Sequence, residues 1–107
     1  MSEHDQRQYA LMLKGLEDFQ SGRIYIDRLI MDLQGLWNAL ESSDAAWKQS
    51  FLSLWGHLED ARAAALFRGA RNLNEEEANV VDKAIPRLKL MVLEKIDDPA
   101  DHPRKVD

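Results

Sequence analysis

Hydrophobic residues recur at intervals of three and four along four stretches of this chain, with turn-forming residues between the stretches. That spacing places the members of each set on one face of an α-helix. Because each apolar face must be buried against another, the pattern predicts an all-α fold, a four-helix antiparallel bundle. The four sets are Tyr9, Met12, Leu13, Leu16 and Phe19; Ile26, Leu29, Leu33, Leu36 and Leu40; Trp47, Phe51, Leu54, Leu58, Ala61 and Ala65; and Val81, Ile85, Leu88, Val92 and Ile96.

Residues that start and stop helices divide the chain into four predicted helices. Gly22 and Gly69 can adopt the left-handed conformation that ends a helix, and Asn74 with Glu77 has the spacing of a capping box. Pro86 predicts a kink in the last helix but no break, because the apolar face continues on both sides of it. The predicted helices cover residues 5–20, 25–41, 45–68 and 74–96.

The length of 107 residues predicts a single domain, with residues 1–96 in the bundle. Residues 97–107 contain two prolines and almost no apolar side chains, which predicts a disordered C-terminal tail. The polar N-terminus is unlike a signal peptide, and no apolar run approaches the roughly 20 residues that a membrane span requires. We therefore expect a cytoplasmic protein without a membrane partner.

The charge balance favours a basic protein as the partner. The formal net charge is −5 and the calculated pI is about 5.1. Because phosphate backbones attract basic surfaces, direct binding to nucleic acid is disfavoured. An acidic surface instead attracts basic proteins and accelerates their association.

No arrangement of residues in the sequence is typical of catalysis. The three histidines are scattered, and neither a Glu-x-x-His nor a His-x-x-x-His metal motif occurs. The five glycines are too far apart for a phosphate-binding loop, and the chain has no cysteine to act as a nucleophile or thiolate ligand. We therefore expect no enzymatic activity, no metal and no cofactor.

Some apolar residues lie off the four helix faces, notably Leu52 and Phe67 in the third helix. Two interpretations are open. The third helix packs against neighbours on two sides, or these residues form an exposed apolar patch, rimmed by acids, for a protein partner or a second copy. Trp37 and Trp55 lie at the edges of their helix faces, where core packing and anchoring of a partner are both open.

Three stretches of the chain resemble the helical immunity proteins of the colicin D type. They are Leu13–Gly22 followed by Arg23 and Ile24, Trp55–Asp60 in the third helix, and the acidic helix start at Leu73–Glu77. Proteins of that family are small and bacterial, and they bind and block a toxic tRNA-cleaving nuclease domain. The resemblance covers roughly residues 9–96 and implies an inhibitor whose carboxylates replace phosphates in a basic nuclease site.

The resemblance assigns no individual site residues. The candidates for contact with a partner are therefore neighbouring acidic residues in the second, third and fourth helices and Phe67, the aromatic residue that lies off the predicted core face. If these acids contact the partner, replacing Glu59 or Asp60 by lysine should weaken the complex. The acids at the start of the last helix have a second explanation, because they also fit capping of that helix. The alternative function is a self-associating helical module with a structural or regulatory role, a homodimer that Phe67→Glu disrupts. The candidate residues are Asp27, Asp32, Glu59, Asp60, Phe67, Glu75 and Glu76.

Overall fold

A computed structural model describes residues 3–41, 45–70 and 72–96 of the chain. Within these ranges the regular structure is entirely α-helical, which confirms the predicted fold class. The predicted helix ends agree with the observed ends within two residues, and the predicted tail, 97–107, lies outside the described residues. The helices are α1 (Glu3–Gln20), α2 (Ile26–Ala39), α3 (Ala45–Phe67) and α4 (Glu75–Ile96).

The helices form a square, antiparallel arrangement. Helices α1 and α3 each pack along both α2 and α4, and within the described ranges the backbones of neither diagonal pair come close together. The amide of Gln6, near the start of α1, donates to the carbonyl oxygen of Lys95, near the end of α4, over 3.0 Å. Trp47, near the start of α3, donates to the carbonyl oxygen of Met91 over 3.1 Å. Neighbouring helices therefore run in opposite directions, as short connections favour.

The predicted apolar faces meet in one core. Its aromatic centre joins α1 to α3: the Tyr9 and Trp47 rings meet edge to face with centroids 5.4 Å apart. Phe51 stacks on Trp47 at 5.2 Å. Burial of these rings and the surrounding aliphatic residues is the main source of stability. The most fully buried side chains include Tyr9, Met12, Leu16, Leu29, Leu33, Phe51, Leu58, Val81, Ile85, Leu88 and Val92.

Two tryptophans connect α2 with α3 in opposite directions. The indole nitrogen of Trp37 donates to the carbonyl oxygen of Lys48 over 3.2 Å. That of Trp55 donates to the carbonyl oxygen of Ile30 over 3.1 Å. Both side chains are partly buried and pack against the core. Each indole therefore has a structural partner on the neighbouring helix, which favours core packing over anchoring of a partner protein.

Glycine ends two of the helices at the same end of the bundle. Gly22 has φ of 81°, and the amide of Arg23 donates to the carbonyl oxygen of Asp18 over 2.8 Å, closing a Schellman motif after α1. Gly69 has φ of 75° and closes the same motif after α3. Both turns lie at this end of the bundle because α1 and α3 run in the same direction.

Helix α4 is continuous through Pro86, which is exposed, so the absence of a break is confirmed and the kink stays a prediction. Helix α2 begins after Tyr25 without a side-chain capping hydrogen bond. Among the described helices, none combines the length and apolar character that crossing a lipid bilayer requires.

Candidate protein-binding surface

Two of the candidate acids share one arginine. Arg62 of α3 lies between Glu59, whose carboxylate is 2.9 Å from the guanidinium, and Asp27 of α2, whose carboxylate is 4.0 Å from it. The hydrogen bond with Glu59, followed by the charges of Glu59 and Asp27, raises the pKa of Arg62. Arg62 therefore links α3 to α2 through Asp27, and its single positive charge offsets part of the charge of the two carboxylates.

Asp32 lies on another side of the bundle. Its carboxylate is 3.0 Å from Arg28, one turn earlier in α2. It borders a groove between α1 and α2, together with the exposed side chains of Leu11 and Met31. Asp27 faces α3 instead, so these two candidate acids of α2 lie on different sides of the bundle.

The three glutamates at the start of α4 have different roles. Glu77 is buried, and its carboxylate accepts from the amide of Asn74 over 2.8 Å while its own amide donates to the Asn74 side chain. This reciprocal pair confirms the predicted capping box. The same carboxylate is paired with Arg68 at the end of α3. Glu75 and Glu76 are exposed and have no ion pair or hydrogen-bond partner among the described residues.

The ion pair between Arg68 and Glu77 determines where the unpaired acids lie. It holds the start of α4 beside the end of α3, where Phe67 is 94% exposed. Asp60, exposed and also without a partner in the described ranges, lies seven residues before Phe67 and so on the same helix face, about 10 Å away along α3. We name these residues the end surface. It consists of Asp60, Leu66, Phe67, Glu75 and Glu76.

An apolar groove lies at the same end of the bundle. It has a volume of about 410 Å³ and runs between the α1–α2 connection and the segment before α4. Its walls include Phe19, Ile24, Leu73 and the largely exposed Tyr25, and one acid and one base, Asp27 and Arg28, border it. A partner that contacts the end surface therefore also meets a recess large enough for an apolar side chain.

The opposite end contains three potential metal ligands that the sequence did not group. One ligand atom from each of His4, Asp5 and Glu41 lies within 4.8 Å of the others, close enough to share a cation. The Asp5 carboxylate, only 1% exposed, accepts the Glu41 amide over 2.8 Å, and the His4 ring donates to the carbonyl oxygen of Ala39 over 2.8 Å. In this arrangement the residues fasten the start of α1 to the end of α2.

Comparison with known protein families, curated proteins and solved structures finds no match to this chain. The resemblance to colicin D-type immunity proteins therefore stays a prediction. Any functional inference depends on the surface chemistry, above all on the end surface with its exposed aromatic ring and unpaired carboxylates.

We expect Glu77→Gln to lower the melting temperature at neutral pH, because glutamine keeps the capping geometry but loses the ion pair with Arg68. The Arg68 hydrogen bond, followed by that from the Asn74 amide, lowers the pKa of Glu77 from its usual 4.5. Because the pKa of Glu77 is lower in the folded state than in the unfolded state, its charge stabilises the fold at pH values above the pKa of the unfolded state. This contribution is lost as the pH falls through the pKa of the folded state. The melting curves of the two proteins should thus converge below about pH 4.5.

Glu76→Gln is the matched control, since it removes a carboxylate from the same helical turn that has no ion pair in the described ranges. Its melting temperature should stay close to that of the wild type at every pH. A constant difference between Glu77→Gln and the wild type down to pH 3 would contradict the assigned ion pair.

Proposed function

We propose that this chain is a non-catalytic inhibitor of the immunity type, which binds and occludes the basic substrate site of a bacterial tRNA-cleaving nuclease domain. The observation that carries the proposal is a 94% exposed phenylalanine at the end of α3, together with three acids of the end surface, one on the same face of α3 and two at the start of α4, that have no partner within the described residues. Large exposed aromatics and unpaired charges of one sign are typical of binding surfaces.

Phe67 supplies the apolar part of this surface. Full burial of such a side chain against a partner stabilises a complex by about 2–3 kcal/mol. Within the described structure nothing covers its ring, so that free energy is available for association. The groove beside Tyr25 and Leu73 offers the partner a complementary recess.

Asp60, Glu75 and Glu76 supply the charge. A nuclease that cleaves RNA must present basic side chains to the phosphates of its substrate. Carboxylates placed at those side chains form charge-assisted hydrogen bonds and attract the partner from a distance. Among the other candidates, Asp27 and Glu59 share Arg62, and Asp32 pairs with Arg28. We expect those three to contribute less than the unpaired acids.

Inhibition of RNA cleavage tests the proposal. A basic protein captured from the source cell by the wild-type chain would be assayed for cleavage of tRNA while the chain is titrated. We expect cleavage to cease at one equivalent, with an affinity that falls as salt is raised. A captured partner that does not cleave tRNA, or whose cleavage the chain leaves unchanged, would contradict the inhibitor function.

The exposed apolar residues of α3 also favour a second candidate, a self-associating module. Leu52, in the first half of α3, and Phe67, at its end, are exposed although the helix packs on two neighbours. An antiparallel pair of α3 helices that placed Phe67 of one copy on Leu52 of the other would bring Glu59 against Asp60 at the centre. Like charges at close approach disfavour that pairing, so we rank a heterologous basic partner first.

Phe67→Ala distinguishes the two candidates. We expect it to weaken binding to the captured nuclease by about 2 kcal/mol, or roughly 30-fold, because it removes a potential hot spot. Calorimetry would measure the affinity, and the melting temperature should be nearly unchanged because the ring is exposed. Leu90→Ala is the control, because Leu90 is an apolar side chain on α4 that is also exposed (65%) but lies outside the end surface. This variant should bind like the wild type. A wild-type dimer in sedimentation that Phe67→Ala converts to a monomer would instead support self-association.

A further inference from the structure

A groove of about 300 Å³ lies along the side of the bundle between α3 and α4. Its apolar surface comes from Leu54, Val80 and Ala84. Its polar rim comes from His57 of α3 and from Lys83 and Arg87 of α4. No carboxylate from the part of the chain that the structure describes lines this groove, although the whole chain has a net charge of −5.

The two cations of the rim differ from nearly all others in the described structure. Neither Lys83 nor Arg87 has an ion pair, a hydrogen bond or an aromatic ring as a partner, and within the described ranges this is otherwise true only of Arg7. The remaining described lysines and arginines are paired with acids, bonded to a side-chain amide or placed over a tryptophan ring. They are Lys14, Arg23, Arg28, Lys48, Arg62, Arg68, Lys89 and Lys95.

The sequence of α4 keeps these two charges unpaired. Lys83 and Arg87 are four residues apart, so they lie one above the other on the same helix face. Like charges at this spacing destabilise a helix, and no acid stands three or four residues from either of them. An anion placed between them would relieve this repulsion.

We propose that this groove binds a small anionic amphiphile, an apolar group with a single carboxylate or phosphate at one end. The apolar group lies on Leu54, Val80 and Ala84, and the anionic end lies between Lys83 and Arg87. The volume is at the lower limit of small-molecule sites, so the groove suits a short alkyl chain and not a docked helix. This inference does not depend on the nuclease partner, because it concerns other residues and a ligand of opposite charge.

Titrations followed by amide chemical shifts test the groove with defined probes. Octanoate and octyl phosphate distinguish the two anionic groups, octanol lacks the charge, and acetate lacks the chain. We expect octanoate or octyl phosphate to shift the amides of Val80, Lys83 and Arg87 saturably. Octanol and acetate should bind at least fivefold more weakly, since each makes only one of the two kinds of contact.

Substitution of the rim completes the test. We expect Lys83→Gln with Arg87→Gln to weaken binding of the preferred probe at least fivefold without changing the melting temperature, because both side chains are exposed. Arg7→Gln removes the other unpartnered cation, in α1, and should leave binding unchanged. Absence of saturable shifts, equal binding of octanol, or equal weakening by Arg7→Gln would overturn the proposal.

Discussion

Phe51→Ala is expected to lower the free energy of unfolding by about 3–5 kcal/mol, because it opens a cavity in the aromatic centre of the core. Phe51 is 1% exposed and stacks on Trp47, which in turn meets Tyr9. A loss of this size is a large fraction of the roughly 5–15 kcal/mol that stabilises a typical domain. Urea denaturation followed by tryptophan fluorescence would measure it.

Leu52→Ala is the matched control for the orientation of α3. Leu52 follows Phe51 in sequence but is 37% exposed on the outward side. Its truncation should lower the free energy of unfolding by about 1 kcal/mol or less. Equal losses for the two variants would mean that α3 is rotated relative to the described core.

Neutralising the three unpaired acids is expected to weaken binding to the captured nuclease about 100-fold. The variant carries Asp60→Asn, Glu75→Gln and Glu76→Gln, and each lost interfacial charge contact contributes about 1 kcal/mol. Calorimetry at two salt concentrations would measure the affinity. The salt dependence should also fall, because fewer charge pairs remain to be screened.

A control with the same change in net charge separates local contacts from a general electrostatic effect. Glu3→Gln, Glu17→Gln and Glu94→Gln neutralise three exposed acids outside the end surface. We expect this variant to lose less than about fivefold in affinity, through weaker long-range attraction alone. Equal weakening by both triple variants would show that the end surface is not the site of contact.

The fold could be predicted because the residues that face the core follow helical spacing. The set containing Trp47, Phe51 and Leu58 is buried as predicted, and Gly22 and Gly69 end their helices through the conformation that glycine permits. Local rules determine these features. The burial of Asp5 also has a local indication in the sequence, because Asp5 lies four residues before Tyr9 on the same helix face. A buried carboxylate is nevertheless unexpected without knowledge of its partner.

The pairing of charges between helices could not be predicted, because it depends on which helices become neighbours and how they rotate. Arg62 reaches Asp27 across the α2–α3 contact, and Arg68 selects Glu77 from three consecutive glutamates. Helical spacing alone also gives no indication that the indoles of Trp37 and Trp55 donate to carbonyl oxygens of the neighbouring helix. The six candidate acids therefore divide into three with an ion-pair partner and three, Asp60, Glu75 and Glu76, that have none in the described ranges.

The account depends on contact through the end surface, and hydrogen exchange of the chain with and without the captured nuclease tests this most directly. We predict that binding slows exchange of amides at the end of α3 and the start of α4, in residues 66–70 and 72–77, and leaves the groove between α1 and α2 unaffected. Protection confined to the α1–α2 face, with unchanged exchange in those two segments, would contradict the account.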